Sequence, residues 1–141
     1  MARVSSLEPF ELPITILASD IDFMGHVNNV TYVRWIQDAA TAHWTAAATE
    51  DEQDNLVWVI LRHEIDYKIA AVPEDRIIAR TWVGGASRLR FARLTEILRE
   101  RDRAVLAKAR TLWCPIDRRT GKPTFVTPAI RAGFSTGPLT D

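Results

Sequence analysis

Apolar positions recur along this chain with two different periods, and the period changes where the structure is expected to change. Across residues 30–49, apolar or small side chains return at Val33, Ile36, Ala40, Trp44 and Ala47. That three-or-four spacing is one face of a helix, and about twenty residues of helix span roughly 30 Å. Across residues 57–69 the period is two. Val57, Val59, Leu61, His63, Ile65, Tyr67 and Ile69 alternate with Trp58, Ile60, Arg62, Glu64, Asp66 and Lys68, which predicts a strand with one apolar face. Residues 10–18 predict a first strand around Pro13, a residue suited to an edge or a bulge. Residues 76–83 predict a third strand and 84–87 a loop, while 88–99 and 104–113 predict a hairpin turning at 100–103. In its second arm Val105, Ala107, Ala109, Thr111 and Trp113 share one face, with small residues where a helix could lie close. Residues 50–55 read as a polar connector, 70–75 and 117–124 as turns holding Pro73 and Gly121, and 128–134 as a short terminal helix.

The order is strand, long helix, then four strands with short connections. Consecutive strands joined tightly favour antiparallel pairing, and one helix laid on one sheet gives an α+β domain with a shared core. At 141 residues a single domain, spanning 1–141, is expected. No apolar run approaches the roughly twenty residues of a membrane span, and residues 1–6 lack the features of a secretion signal. Cys114 is the only cysteine, so no internal disulfide can form. That fits a reducing, cytoplasmic setting and a buried structural thiol.

The net charge is zero, which argues against nucleic-acid binding. The charges are nevertheless unevenly spread: residues 1–75 carry thirteen acids against four bases, and residues 76–119 carry twelve bases against four acids. Arg88, Arg90, Arg93, Arg99, Arg101 and Arg103 lie in one run. They read either as a solvated strand face and hairpin tip or as grips for phosphate.

The densest polar chemistry lies just before the long helix, in Ser19-Asp20-Ile21-Asp22-Phe23-Met24-Gly25-His26-Val27-Asn28-Asn29-Val30-Thr31-Tyr32. Asn28 or Asn29 suits the helix N-cap, where a short amide accepts a bond from a first-turn N–H. The first-turn N–H groups lack partners within the helix and sit at its partially positive end, a site for an oxygen that becomes negative. Asp22 would be the nucleophile there, or the base that activates water. Asp20 reads as structural, and Gly25 suits a positive φ or a close backbone approach. His26 has no second histidine or cysteine at ligand spacing, so no metal site is expected. His63 reads as a satisfied core histidine and His43 as a helix-surface residue.

The run from Asp22 through Gly25, His26, Asn28, Asn29 and Tyr32 to Trp35 resembles the signature of hotdog-fold thioesterases of the 4-hydroxybenzoyl-CoA thioesterase type. Its His26-Val27-Asn28-Asn29 portion is also similar to plant acyl-ACP thioesterases. The resemblance covers roughly residues 10–134 and implies an antiparallel sheet wrapped around one long helix. It further implies a homodimer or homotetramer with sites built between subunits, and hydrolysis of a small-molecule acyl thioester, acyl-CoA first. An acyl-ACP thioesterase, a hotdog hydratase and a non-catalytic acyl-binding domain are the alternatives, although Met24-Gly25 departs from the Asp-x-Asn-Pro-x-His type of run that the hydratases carry. Coenzyme A enters as part of the substrate, and no separate cofactor is implied.

By that resemblance Asp22 is the catalytic carboxylate, the backbone N–H of Asn29 polarises the carbonyl, and His26 is a polar neighbour of the substrate. Gly25, Asn28, Tyr32, Ser87 and Arg88 are its binding residues. Many relatives carry an acid on the helix where Gln37 stands. Asp38, one position on, faces about 100° away, so no helix carboxylate is assigned.

Overall fold

A computed structural model describes residues 7–139. The three-or-four stripe forms α1 (Asn29–Ala47), whose Tyr32, Trp35, Ile36, Ala39, Ala40, His43 and Ala47 are buried. Six strands make one sheet among the described residues. They are β1 (Phe10–Ile14), β2 (Leu56–Tyr67), β3 (Ile77–Ala86), β4 (Phe91–Arg99), β5 (Val105–Asp117) and β6 (Ser135–Pro138). The order across the sheet is β1-β3-β4-β5-β2, every neighbouring pair antiparallel, with the short β6 added parallel to β3. This is the α+β hotdog architecture: the sheet wraps the long helix. Pro13 lies on the edge strand β1, where its missing N–H costs no ladder bond.

Small residues let helix and sheet approach. Ala79, Ala107 and Ala109 present little bulk, and Tyr32, Trp35, Ile36 and Ala39 of α1 pack with them in one apolar cluster. A second cluster gathers Ala47, Val83, Ala86, Phe91, Val126, Ile130 and Phe134 around the other end of α1. Ile130 and Phe134 come from α3 (Pro128–Phe134), capped by Thr127, whose hydroxyl accepts the Ile130 N–H at 3.2 Å.

Five features depart from the sequence expectation, the first being that β1 stops at Ile14 and Ala18–Asp20 form a short 3-10 helix where strand was expected through residue 18. The alternation along β2 does not keep one face inward: the register with β5 slips between Ile60 and Arg62, leaving Leu61 as an inserted residue. Because the side-chain period is two, one extra residue exchanges the faces. Before it Trp58 packs against the core while Val59 is exposed; after it His63 and Ile65 turn inward. Residues 50–55 are helix α2 (Glu50–Asn55), not a connector, closed by a capping box in which Thr49 Oγ1 accepts the Glu52 N–H and Glu52 Oε1 accepts the Thr49 N–H. Gly84 and Gly85 continue β3 instead of forming a loop. A Cβ on Gly85 would stand 2.6 Å from Pro138 O and Leu139 Cα, so the glycine is what lets β6 lie alongside. That sixth strand has no signal in the alternation.

Ile36 is fully buried between helix and sheet. Ile36→Ala is expected to destabilise the fold by about 2–5 kcal/mol in urea unfolding, with the far-ultraviolet spectrum of the folded state unchanged.

Candidate functional site

The residues before α1 form a closed loop. Ile21 bridges Val27, the Asn28 N–H donates to Asp20 C=O at 2.8 Å, and the Asp22 N–H donates to His26 C=O at 2.7 Å. Gly25 turns the chain with φ 78°, and a Cβ there would meet nothing within 4 Å. The positive φ, not a close approach, is therefore the reason for glycine.

Asp20 fastens this loop to the helix. It is 2% exposed, its carboxylate accepts the Leu17 N–H at 2.8 Å, and it pairs with Arg34 of α1 at 2.9 and 3.0 Å. The Arg34 guanidinium holds the Asp20 carboxyl below its ordinary value of 3.8. Asp20 is structural, in keeping with its place ahead of the motif.

Asp22 lies half-buried in the turn. Its Oδ1 accepts two backbone N–H groups, from Met24 at 2.9 Å and His26 at 3.1 Å. Its Oδ2 has no bond within the described residues. Asn28 occupies the N-cap position but makes no side-chain cap, contrary to the expected amide cap; its backbone C=O takes the Thr31 N–H instead. The N–H groups of Asn29 and Val30 consequently have no acceptor within the described residues. A carboxylate and two free helix-tip donors thus flank one short loop, with Phe23, Met24 and Val30 largely exposed around them.

Three predicted binding residues stand elsewhere. Tyr32 is 2% exposed, and its hydroxyl accepts the Ala71 N–H at 3.1 Å. It packs beneath the loop against Tyr67 and Trp35. Ser87 and Arg88 lie in the β3–β4 turn, next to the second cluster and at the opposite end of the helix from Asp22; Arg88 rests over the Phe125 ring at 4.7 Å. Two arginines of the hairpin tip are held by acids, Arg99 by Asp102 and Arg103 by Glu11, and on β3 Arg80 is held by Glu96. Among the described residues no three His, Cys, Asp or Glu side chains converge as a metal site, and no helix is long and apolar enough to cross a membrane.

A second polar feature is not read from the sequence. The two apolar clusters are parted by a buried belt of His43, Thr81, Arg93, Thr95 and Thr111. The Arg93 guanidinium donates through Nη1 to His43 Nδ1 at 2.9 Å and to Thr81 Oγ1 at 3.2 Å. Since guanidinium has no lone pair, Nδ1 of His43 must accept, which puts the ring proton on Nε2. His43 is 2% exposed, not a surface residue. A signal for this exists: it lies seven positions after Ile36 and four after Ala39, on the same helix face. Burial, and then the charge of Arg93, push the His43 pKa from 6.5 to about 4. Burial alone lowers Arg93 to about 10.

Arg93 also lines a cavity of about 370 Å³, walled by Trp44, Trp58, Phe91 and Trp113 and rimmed by Thr41, Gln53, Val57 and Arg118. That volume lies within the range of about 300–1,000 Å³ usual for small-molecule pockets. Trp58 stacks on Phe91 with centroids 4.7 Å apart. His63, half-buried on β2, contacts Thr111 Oγ1 through Nδ1 at 3.0 Å, the satisfied core role expected of it.

Comparisons with known proteins bear on this arrangement. The family model described as Thioesterase-like superfamily matches residues 16–134. Among solved structures, a 1,4-dihydroxy-2-naphthoyl-CoA thioesterase from Synechocystis is similar over 89% of this chain and 94% of its own, with a TM-score of 0.74 at 18% identity. A thioesterase from Thermus thermophilus, complexed with coenzyme A and Zn, is similar over 86% and 88%, with a TM-score of 0.74 at 20% identity. A 12:0-ACP thioesterase from Umbellularia californica is similar over 89% of this chain and 49% of its own, with a TM-score of 0.73 at 14% identity. At these identities the likeness is one of fold. A comparison with curated protein sequences gave no match.

The His43–Arg93 contact carries a pH signature. A histidine whose folded pKa of about 4 lies below its unfolded 6.5 stabilises the fold fully above pH 6.5, and loses that contribution as pH falls toward 4. Wild type is therefore expected to lose up to about 3 kcal/mol across that window relative to His43→Asn, whose amide oxygen still accepts from Arg93 but does not titrate. Urea unfolding of both proteins at pH 7.5, 6, 5 and 4.5 measures it.

Proposed function

The chain belongs to the thioesterase-like superfamily, and on that premise we propose that it hydrolyses an acyl-CoA thioester to the free acid and CoA, with Asp22 as its reacting carboxylate. One observation carries this reading: a carboxylate with one oxygen held and one free stands in the same short loop as two unsatisfied N–H groups at the start of α1. The thioester carbonyl oxygen accepts the Asn29 N–H, and the helix end stabilises the charge that grows on it. Asp22 Oδ2 then attacks the carbonyl carbon, expelling the CoA thiolate and leaving a mixed anhydride that water opens. Alternatively, it takes a proton from water, which attacks in its place. Either route ends in the acid, CoA and a regenerated carboxylate. His26, anchored through its own N–H to Asp22, borders the reacting atoms, and Gly25 and Asn28 shape the loop around them.

The acyl group needs a cavity, and the chain's own cavity is remote from its own Asp22. From Asn29 to Ala40 and Trp44, both on the cavity wall, α1 rises about 17–23 Å. A second copy resolves this. β2 is an edge strand twelve residues long, and such an edge invites pairing. Its Tyr67 end holds the helix tip, the Tyr67 hydroxyl donating to Asn29 C=O at 3.1 Å, and its Leu56 end borders the cavity. Antiparallel pairing of two β2 edges about their midpoint sets each helix tip beside the other copy's cavity mouth, and covers the exposed Phe23, Met24 and Val30. We take the assembly as a homodimer, or a tetramer built from it, acting in the cytoplasm, where the lone buried Cys114 stays reduced. Arg88 and Arg90 at the exposed β3–β4 turn are the cations available to CoA phosphates, with Ser87 beside them.

Asp22→Asn keeps the turn, because the amide oxygen still accepts both N–H groups, but removes the reacting carboxylate. Thiol release from a panel of aliphatic and aromatic acyl-CoAs is expected to fall about a hundredfold or more, a few kcal/mol of barrier, with folding intact. Equal rates would remove Asp22 from the mechanism. Stabilisation by acyl-CoA without turnover in the wild type would indicate an acyl-binding domain, and insensitivity of acyl-ACP cleavage to free CoA would indicate the ACP enzyme. The composite site has its own test. Thr41→Trp, which fills the cavity rim, and Asp22→Asn are each expected to be inactive alone. Their co-expressed mixture should recover roughly a quarter of wild-type activity, because half of the dimers then hold one intact site. A mixture as inactive as its components would place both halves of the site in one chain.

A further inference from the structure

Arg93 is a charge in the wrong place for a protein core. It is 4% exposed, and none of its partners is an acid: only Nη1 is bonded, to the neutral His43 and Thr81. Nε and Nη2 have no partner within the described residues, at a side chain that lines the cavity. Burying a cation without an anion costs several kcal/mol, and isolated charged groups of this kind are kept where something pairs with them. The cavity is otherwise walled by the aromatic rings of Trp44, Trp58, Phe91 and Trp113, with Thr41, Thr45, Gln53 and the exposed Arg118 also in its lining. An aromatic chamber holding a buried guanidinium with no anion beside it asks for an acceptor oxygen, and a guanidinium fits a carboxylate better than any other.

We propose that this cavity binds an acyl group whose far end carries a carboxylate, so that Arg93 pairs with that end while the carbonyl under attack lies at the mouth. The substrate class is then the CoA half-thioester of a dicarboxylic acid. The arginine acts as a specificity residue and touches no reacting atom. This inference rests on the cavity being the acyl pocket, not on Asp22 being the nucleophile. The polar belt explains why the pairing is selective: His43 and Thr81 hold Nη1 from behind and fix the fork, leaving its other edge for the ligand.

The test separates binding from turnover. Monomethyl adipate and methyl hexanoate share an ester end and differ in carboxylate against methyl at the other, and Trp44, Trp58 and Trp113 at the walls report occupancy through intrinsic fluorescence. Wild type is expected to bind monomethyl adipate at least about tenfold more tightly than methyl hexanoate. Arg93→Met should reduce that preference below about twofold, and Thr41→Trp should abolish binding of both. Should Arg93→Met fail to fold, Arg93→Lys keeps a charge but loses the fork, and is expected to lose most of the preference. In turnover, kcat/KM for adipoyl-CoA should exceed that for hexanoyl-CoA in wild type. The two esters binding alike, or a preference that survives in Arg93→Met, overturns the proposal even if every thioester is cleaved. A carboxylate preference in a protein that cleaves no thioester upholds it and sinks the hydrolase reading instead.

Discussion

One buried carboxylate holds the candidate site together. Asp20 reaches back to the Leu17 N–H, across to Arg34 on the helix, and through its own carbonyl to the Asn28 N–H. Three segments that have no reason to meet are thereby tied at one residue: the exit of the first strand, the turn carrying Asp22, and the first residues of α1. Taking a carboxylate out of water is costly unless it is paired and hydrogen-bonded, and Asp20 is both. The helix tip is where it is because this charge is satisfied there.

The remainder of the fold supplies the two surfaces that such a tip requires. Along α1 the residues change from aromatic and branched near the loop to alanine and histidine midway, then to Trp44 and Ala47. The sheet answers with Ala79, Ala107 and Ala109, then with the threonine and arginine belt, then with Phe91 and Trp113. The helix therefore passes from a tightly packed half to a half with room beside it. The candidate loop around Asp22 thus stands at one end of the helix and an open aromatic chamber at the other.

Much of this is legible in the residues. The spacing of Val33, Ile36, Ala40 and Trp44 marks α1, the alternation of small residues from Val105 marks the strand beneath it, and the polar run around Asp22 marks the loop. What escapes has physical causes. A period-two reading cannot locate an inserted residue when both faces of the strand are apolar, so Leu61 hides the exchange of faces in β2. β6 is four residues long and gives no pattern, because its place depends on Gly85 lacking a side chain. The Thr49–Glu52 box is readable, but the acidity of the segment masks it. Arg93 resembles the other arginines of its charged run, and only the register beside Thr111 and Val83 turns it inward.

The inserted Leu61 has a consequence for how this strand can change over time. Residues on its two sides obey opposite parity, so the same odd-numbered position means solvent in one half and interior in the other. Losing that single residue would leave every other side chain on its present face, because Ile60 stays opposite Trp113, Arg62 opposite Leu112 and His63 opposite Thr111. What would go is the bend and added twist that an extra residue gives a strand, and with it the angle between the half beside the chamber and the half beside the helix tip.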